Sequence, residues 1–573
     1  GGGFVAGLAR PTTPVVVAVS RHNNPDELLL LCCVAALWCA LRALESGRTR
    51  WLVLSGVAVG LGFETKMGVA LMVVPGIALA WIWTRVLTRP GARDKLAAFG
   101  QLLSGGAAML LVGGAWPLLV TLTPASDRPW ISGTSDNSIW SLIFGYNGLG
   151  RVAGQTGGPG GGGGPGPGGG GGSGTLFGGA TGPFRLLQSG LGDQAGWWLG
   201  FALVSGLALL VLTRLRRRDP RTGWLLAVGG AFLCTAVVFS FASGIFHPYY
   251  VSLLAPFAAA LIGAGVGEVL PAPLGRAGSA RTARLLAPLA VAGGAVTELI
   301  VLGGLNGQMS WATPLVLVLA GGSALLLALR LAPRIRAVVL AVALAGLFAA
   351  PVTWAAETLG HATNGTFPAG GSASASADRG PGGPGPRFGA RGGFGAPNGF
   401  PGGLGGAGAA GGPRGPGGPG GTGGPGAGGG PGGGGGPGGG GQFGGGSASL
   451  TAAVSYVSSH GGGTIAVASQ SSAASAIVSS GADVAGIGGF SGRESSVTTS
   501  WIAAEVQAGR LRWLLVDSGG GRTLPGDTRT GSQTAINTVT STCRAVKIPA
   551  GSGTSTTIYD CLGRAGSLLR APA

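Results

Sequence analysis

Residues 14–38 read PVVVAVSRHNNPDELLLLCCVAALW: an apolar run, a seven-residue polar interruption at 21–27, and a second apolar run. Arg21, His22, Asn23, Asn24, Asp26 and Glu27 crowd into that interruption, and what they separate decides the fold. The flanking run opens a span expected at 27–44, close to the length a helix needs to cross a bilayer. The whole chain repeats this pattern. Of 573 residues only 10% are charged, and mean hydropathy is +0.45; a soluble domain carries roughly a quarter charged residues. The composition implies an α-helical polytopic membrane protein. Its spans are expected at 1–19, 27–44, 51–63, 67–84, 96–122, 196–213, 223–243, 249–266, 285–305, 312–331 and 337–355, about ten to eleven helices. The segment 51–63 is short and is expected to form a tilted or broken pair with 67–84.

The net charge of +18 is distributed as topology requires. One set of alternate loops holds Arg42, Arg48 and Arg50; Arg85, Arg89, Arg93 and Lys95; and Arg214, Arg216, Arg217, Arg218 and Arg221. It continues with Arg276, Arg281 and Arg284, then Arg330, Arg334 and Arg336. The opposite set holds only Arg21, Lys66, Arg128, Arg151 and Arg185 before the tail. Excess Lys and Arg in short loops marks the cytoplasmic side. The basic charge is thus topological, and no nucleic-acid partner is expected.

RHNNPDE therefore lies on the outer face. So do FETKM (63–67), SDNSIWSLIFGYNGLGR (135–151) and IFHPYY (245–250). Any one cluster is explained by helix capping, for instance by Asn24 or Asp26 at the start of a span. Four unusual polar clusters on one face, against plain Arg-rich loops on the other, favour a site. Lys66 suits a phosphate as a point charge, the ordinary alternative being a Glu64–Lys66 pair or a snorkelling lysine. Arg21, Arg128 and Arg151 suit phosphate or lipid headgroups, and Tyr249 and Tyr250 fit an interfacial aromatic belt equally well. His22 and His247 carry no HExxH or Cys/His spacing, so no metal site is expected. No cofactor is expected either, and a divalent-metal requirement stays open.

The blocks TPVVVAVSRHNNPDELLLL, WLVLSGVAVGLGFETKMGVALMVVPG, RPWISGTSDNSIWSLIFGYNGLGR, TGPFRLLQSGLGDQAGWW and FSFASGIFHPYYVSLLAPFAAAL, in that order, resemble actinobacterial members of glycosyltransferase family 39. That family includes the protein O-mannosyltransferases and the aminoarabinose transferase of lipid A. The resemblance covers about residues 5 to 360, and the C-terminal segment is similar to the extracytoplasmic domain attached to this subgroup. It implies a C-type glycosyltransferase moving a mannose-like sugar from a polyprenyl-phosphate donor to an acceptor outside the membrane. The acceptor would be a protein, as in protein glycosylation, or a cell-envelope glycan or lipid. In the family the catalytic acid, usually an aspartate of an Asp-Glu pair, lies on the first outer loop. The chain is expected to be N-terminally incomplete, with that acid upstream of Gly1, so the catalytic residue is unknown here. Asp26-Glu27 belongs to the later NNPD motif. Arg21, Asn24, Asp26, Lys66, Asp136, Asn137, Tyr146, Asn147, His247 and Tyr250 are the candidates for the donor and acceptor cavity. A transporter or flippase of lipid-linked substrates, and a non-catalytic sugar- or cell-wall-binding protein, remain as alternatives.

The domain order expected is 1–360 membrane part, 361–447 linker and 448–573 extracytoplasmic α/β domain. The excess of glycine and proline over ordinary usage is concentrated at 157–180 and 369–447, which read as a disordered insert and linker. As a Gly-rich coil, 369–447 would span about 50 Å, enough to place the last domain over the outer cavity. In that domain, strands are expected at 464–469, 484–489, 511–517 and 555–561, alternating with helices. GGFSGRES (488–495) is either a binding loop or an ordinary connection. Cys543 and Cys561 are a disulfide candidate if the tail faces an oxidising compartment. Cys32, Cys33, Cys39 and Cys234 are expected inside helices. Asn364-Gly365-Thr366 has the form of a glycosylation sequon only.

Overall fold

In the computed structural model, residues 1–154, 178–270, 279–361, 363, 367–374, 448–516, 529–551 and 554–571 are described. The first 360 residues are a bundle of apolar helices, and the last 120 or so form a small α/β domain docked on one end of it. Among the described residues, eight helices are long and apolar enough to cross a membrane. They are Asp26–Ser46, Thr49–Val86, Ala92–Gly113, Gly192–Thr213, Pro220–Phe241, Pro248–Val269, Arg284–Gly303 and Pro333–Gly360. A ninth is the pair Gly2–Ala9 and Pro14–Ser20, bent by 61°.

This differs from the expected ten to eleven in two places. Ala312–Leu327 is a shorter apolar helix, and 51–63 is joined to 67–84 within Thr49–Val86. That long run nevertheless reverses at Lys66–Met67. The helix Thr49–Lys66 stops where Met67 takes φ 51°, ψ −134°, outside the α region and disfavoured for a residue with a Cβ. At one end Arg85 donates to the Leu44 carbonyl and lies beside Gly47. At the other, Lys66 meets Asp26. The two halves therefore lie side by side, the broken pair expected from the sequence, and the break delivers Lys66 to the bundle's rim.

Helix ends follow from local chemistry. Proline at the first turn of Pro14–Ser20, Pro220–Trp224 and Pro333–Glu357 supplies a φ already helical and lacks only an N–H that would be unsatisfied anyway. Asp219 caps Pro220–Trp224 by accepting from the Arg221 N–H. Gly47 closes Asp26–Ser46 in the left-handed conformation. Packing inside a bilayer favours small residues at contacts, and Gly56 shows why: a Cβ there would lie 1.9 Å from the Gly105 carbonyl oxygen. Any larger residue would push the helices Thr49–Lys66 and Ala92–Gly113 apart.

Loops at 44–47, 85–87, 215–221 and 268 gather at one end. Trp83 donates to the Leu215 carbonyl (2.8 Å), Arg217 to Leu87 (3.3 Å), and Arg221 pairs with Glu268 (3.2 Å). The basic loops on these segments thus share one face, as their charge implied. Arg276 lies outside the described residues.

The C-terminal domain has strands β1 (Ile465–Val467), β2 (Val484–Gly486), β3 (Trp513–Leu515), β4 (Arg544–Gly551) and β5 (Thr554–Asp560). Their order is β2-β1-β3-β5-β4. The first three are parallel; β3–β5 and β4–β5 are antiparallel. The four expected strands are present, and β4 (RAVKIPAG) is an addition. Its Pro549 and Gly551 flank a register shift, and Pro and Gly are weak strand formers tolerated at an edge. Cys543 and Cys561 are bonded, tying the start of β4 to the end of β5.

The expected linker start at 361 needs correction. Phe367 and Ala369 are buried, the Gly370 N–H donates to Gln194 Oε1 (2.7 Å), and the Gly371 N–H donates to Thr358 Oγ1 (2.8 Å). A Cβ on Gly370 would strike Pro14, and Gly371 sits at φ 117° against Trp354. Glycine here gives close packing, which composition alone cannot distinguish from disorder. Most of the insert 157–180, the linker beyond 374 and the sequon at 364–366 lie outside the described residues.

Candidate functional site

Four of the outer polar clusters converge at the end of the bundle opposite the basic loops. Asn24 Oδ1 accepts from the Asp26 N–H (2.8 Å), opening the helix Asp26–Ser46 and turning the Asp26 side chain inward, where it is 3% exposed. Lys66 Nζ lies 2.5 Å from Asp26 Oδ2. The ammonium also stands 4.3 Å from the Tyr250 ring centroid and 5.0 Å from that of Tyr249. A cation held between a carboxylate and two aromatic faces keeps its charge away from bulk water. The Lys66 partner is thus Asp26, not the Glu64 of the ordinary alternative; Glu64 Oε1 instead accepts from the Trp116 N–H (3.1 Å).

The wide π-type turn Ser141–Leu149 brings a second cation. Arg151 donates to Asn147 Oδ1 (3.4 Å) and the Ile245 carbonyl (3.2 Å). Its guanidinium lies 4.9 Å from the Tyr146 ring centroid, and Asn147 Nδ2 reaches Met67 Sδ (3.3 Å). So the chain break at Met67 and this turn pack on one another. His247 completes the cluster, stacked on Phe367 (4.9 Å) and close to Tyr249 and Tyr250. Burial, then Arg151, then Lys66 push its pKa down to about 3, so the imidazole is neutral near pH 7 and adds no charge.

Asn24, Asp26, Lys66, Tyr146, Asn147, His247 and Tyr250 are therefore brought together. Three candidates are not. Arg21 is exposed and donates to the Thr358 and His361 carbonyls, tying the turn to the end of Pro333–Glu357. Asp136 accepts from Ser141 Oγ (2.6 Å) and the Ser138 N–H. Asn137, at φ 53°, accepts from the Ile131 N–H (2.9 Å); Arg128 donates to its carbonyl (2.9 Å). The latter two shape the loop 128–140 and point their polar atoms within it. Arg185 is structural as well. Fully buried, it donates to the Gly178, Phe239 and Ala242 carbonyls, and burial lowers its pKa to about 10. Among the described residues no group of three or more His, Cys, Asp or Glu is placed to hold a metal ion.

Loop 130–134 carries the C-terminal domain. Trp130 packs edge-on against Trp501 (5.9 Å). The Gly133 N–H donates to Ser495 Oγ (2.9 Å), and Ser132 Oγ to Gln470 Oε1 (3.2 Å). Between this loop, the turn at 144–154 and the domain lies a cleft of about 540 Å³ whose lining includes Tyr146, Arg493, Glu494, Ser496 and Arg529. GGFSGRES thus forms one wall of a cleft. Glu494 accepts from the Ser491 and Arg493 N–H groups and faces Arg529 (3.8 Å). Sequence reasoning missed Arg529, which carries no motif, and gave Tyr249 only an interfacial role.

Comparison with known proteins bears on both parts. Residues 2–113 match the family model described as dolichyl-phosphate-mannose-protein mannosyltransferase. Residues 453–540 match the one described as "Putative mannosyltransferase YkcB-like, C-terminal". The chain is 30% identical over 452 residues to "Putative mannosyltransferase YkcB" of Bacillus subtilis (strain 168), covering 64% of this chain and 61% of that one. It is 29% identical over 446 residues to "Putative mannosyltransferase YycA" of the same organism, covering 64% and 63%. The chain thus spans somewhat over three fifths of these relatives. No solved structure matches it. The resemblance to glycosyltransferase family 39 is borne out, and the architecture is that of a multi-pass, C-type-glycosyltransferase-like protein.

Proposed function

We propose that this chain acts in a glycosyltransferase that moves a mannose-like sugar from a polyprenyl-phosphate donor to an acceptor on the extracytoplasmic side. The observation that carries it is the constellation of buried Asp26 with half-buried Lys66, Tyr249, Tyr250 and Arg151 at the end opposite the basic loops. The mannosyltransferase matches support the reading.

In the transfer the acceptor oxygen bonds to the sugar's anomeric carbon, the bond from that carbon to the phosphate oxygen breaks, polyprenyl phosphate leaves with the electron pair, and the acceptor hydroxyl's proton passes to a base or to water. The leaving phosphate gains negative charge, so fixed cations at its position lower the barrier. Lys66 and Arg151 take that role, and Asp26 positions Lys66. Asp26 is not assigned as the base that removes the acceptor's proton, because its carboxylate is occupied by Lys66. The prenyl tail runs among the apolar helices, the acceptor enters by the cleft under the C-terminal domain, and Tyr146 lies between cleft and cations. No nucleic acid takes part.

Reconstitution of the full-length protein with polyprenyl-phosphate [14C]mannose tests this. Label should enter protein or glycan in wild type and fall by about 100-fold in Arg151→Ala, the scale of losing one charge-stabilising donor. Label that crosses the bilayer still attached to its lipid would replace transfer with transport.

A further inference from the structure

The opposite end of the bundle holds a cavity of about 760 Å³ that the transfer reaction does not use. Arg85, Arg89, Arg217, Arg218 and Arg221 line it, against the carboxylates of Glu45 and Asp219. Both carboxylates are engaged already, Glu45 by Arg42 (3.0 Å) and Asp219 by Arg221 (2.8 Å). Arg85 and Arg217 are held on the Leu44 and Leu87 carbonyls, and Arg217 lies 4.9 Å from the Trp83 ring centroid. Arg89 and Arg218 are exposed and have no acceptor among the described residues. The cavity therefore has an uncompensated positive charge contributed by separate loops.

An apolar groove of about 200 Å³ begins beside it. Its lower rim is Leu215 and Leu225, chain neighbours of Arg217 and Trp224 in the cavity wall, and it rises along Leu79, Leu207, Phe232 and Leu261. The Trp83 bond to the Leu215 carbonyl pins the junction. The preference for basic residues in cytoplasmic loops explains arginines near this membrane surface. It does not explain why arginines from separate loops converge on one cavity, with an apolar groove lined by the next residues along the same segments. An anion joined to a hydrocarbon chain matches both halves.

We propose that this end binds one anionic phospholipid of the adjoining leaflet, its phosphate among Arg89, Arg217 and Arg218 and an acyl chain in the groove. Arginine suits the planar, two-oxygen face of a phosphate, and basic pockets between membrane helices bind such headgroups. The lipid would clasp the helix Asp26–Ser46, the segment Ile82–Val86 and the loop 214–221 from the side opposite the proposed transfer site.

The test uses the purified full chain in a non-ionic detergent, with thermal unfolding and native mass spectrometry as readouts. Phosphatidylglycerol should raise Tm by about 3 °C and leave one lipid per chain in the spectrum. Phosphatidylcholine and inorganic phosphate should do neither. Each variant is compared with its own lipid-free Tm. Arg89→Ala/Arg218→Ala should lose the shift, whereas Arg330→Ala/Arg334→Ala, with the same charge removed elsewhere, should keep it. Equal protection by phosphatidylcholine would overturn the proposal. So would equal protection by phosphate alone, which would make the ligand a free anion. Equal loss in both double variants would also overturn it, since only bulk charge would then matter.

Discussion

The two ends of the bundle carry similar side chains and use them oppositely. At the basic end the cavity arginines are half-exposed or exposed, and while Arg85, Arg217 and Arg221 are tied to loop carbonyls or acids, Arg89 and Arg218 are tied to neither among the described residues. At the other end there are few charges: Asp26 is buried, Lys66 is half-buried against it, and Lys66 and Arg151 lie against tyrosine rings. Counting charges separates the two ends; burial singles out the proposed site. An exposed ion pair is worth about 0–1 kcal/mol, whereas a buried one is costly to form and costlier to break.

That contrast is open to experiment, starting where the effect is greatest. Asp26→Ala leaves the Lys66 ammonium buried and unpaired, and chemical denaturation in detergent should show a loss of about 3–5 kcal/mol. Removing both charges, as Asp26→Asn/Lys66→Met, should restore most of that stability while leaving transfer at least about 100-fold down. Recovery of activity with stability would show that the pair only holds the fold. His247 gives the next effect. Its folded pKa, about 3, lies below the unfolded value near 6.5. Stability is therefore fully present above pH 6.5 and falls as pH drops toward 3, by up to about 1.4 kcal/mol per pH unit. Unfolding followed from pH 7.5 to 4.5 should show that slope, and His247→Phe should flatten it. At the basic end, Arg42→Ala breaks an exposed pair with Glu45 and should change stability by less than about 0.5 kcal/mol. A loss of several kcal/mol there would erase the distinction between the ends.

Much of this was legible in the sequence. Apolar runs and arginine spacing fixed the helices and their alternation, because both depend on residues acting one at a time. FETKM pointed to Lys66, since a charge inside an apolar run needs a reason. Its partner was not legible, for Asp26 is 40 residues away and only the reversal at Met67 brings the two together. Arg21, Asp136 and Asn137 had the same polar character as the site residues, yet their bonds turn into local carbonyls and loops. Sequence records the donor, not its direction. β4 was missed because Pro549 and Gly551 weaken the strand pattern that pairing with β5 overrides.

The glycines at 370 and 371 have a mechanical consequence. They fasten the chain to Gln194 and Thr358, and the domain that follows the linker is seated on Trp130. Both ends of the intervening segment are thus moored to the same body. A single proteolytic cut between them would not by itself release the domain. It would turn re-docking from an encounter within one molecule into one between two, so the seat at Trp130 would survive in concentrated membranes and fail on dilution.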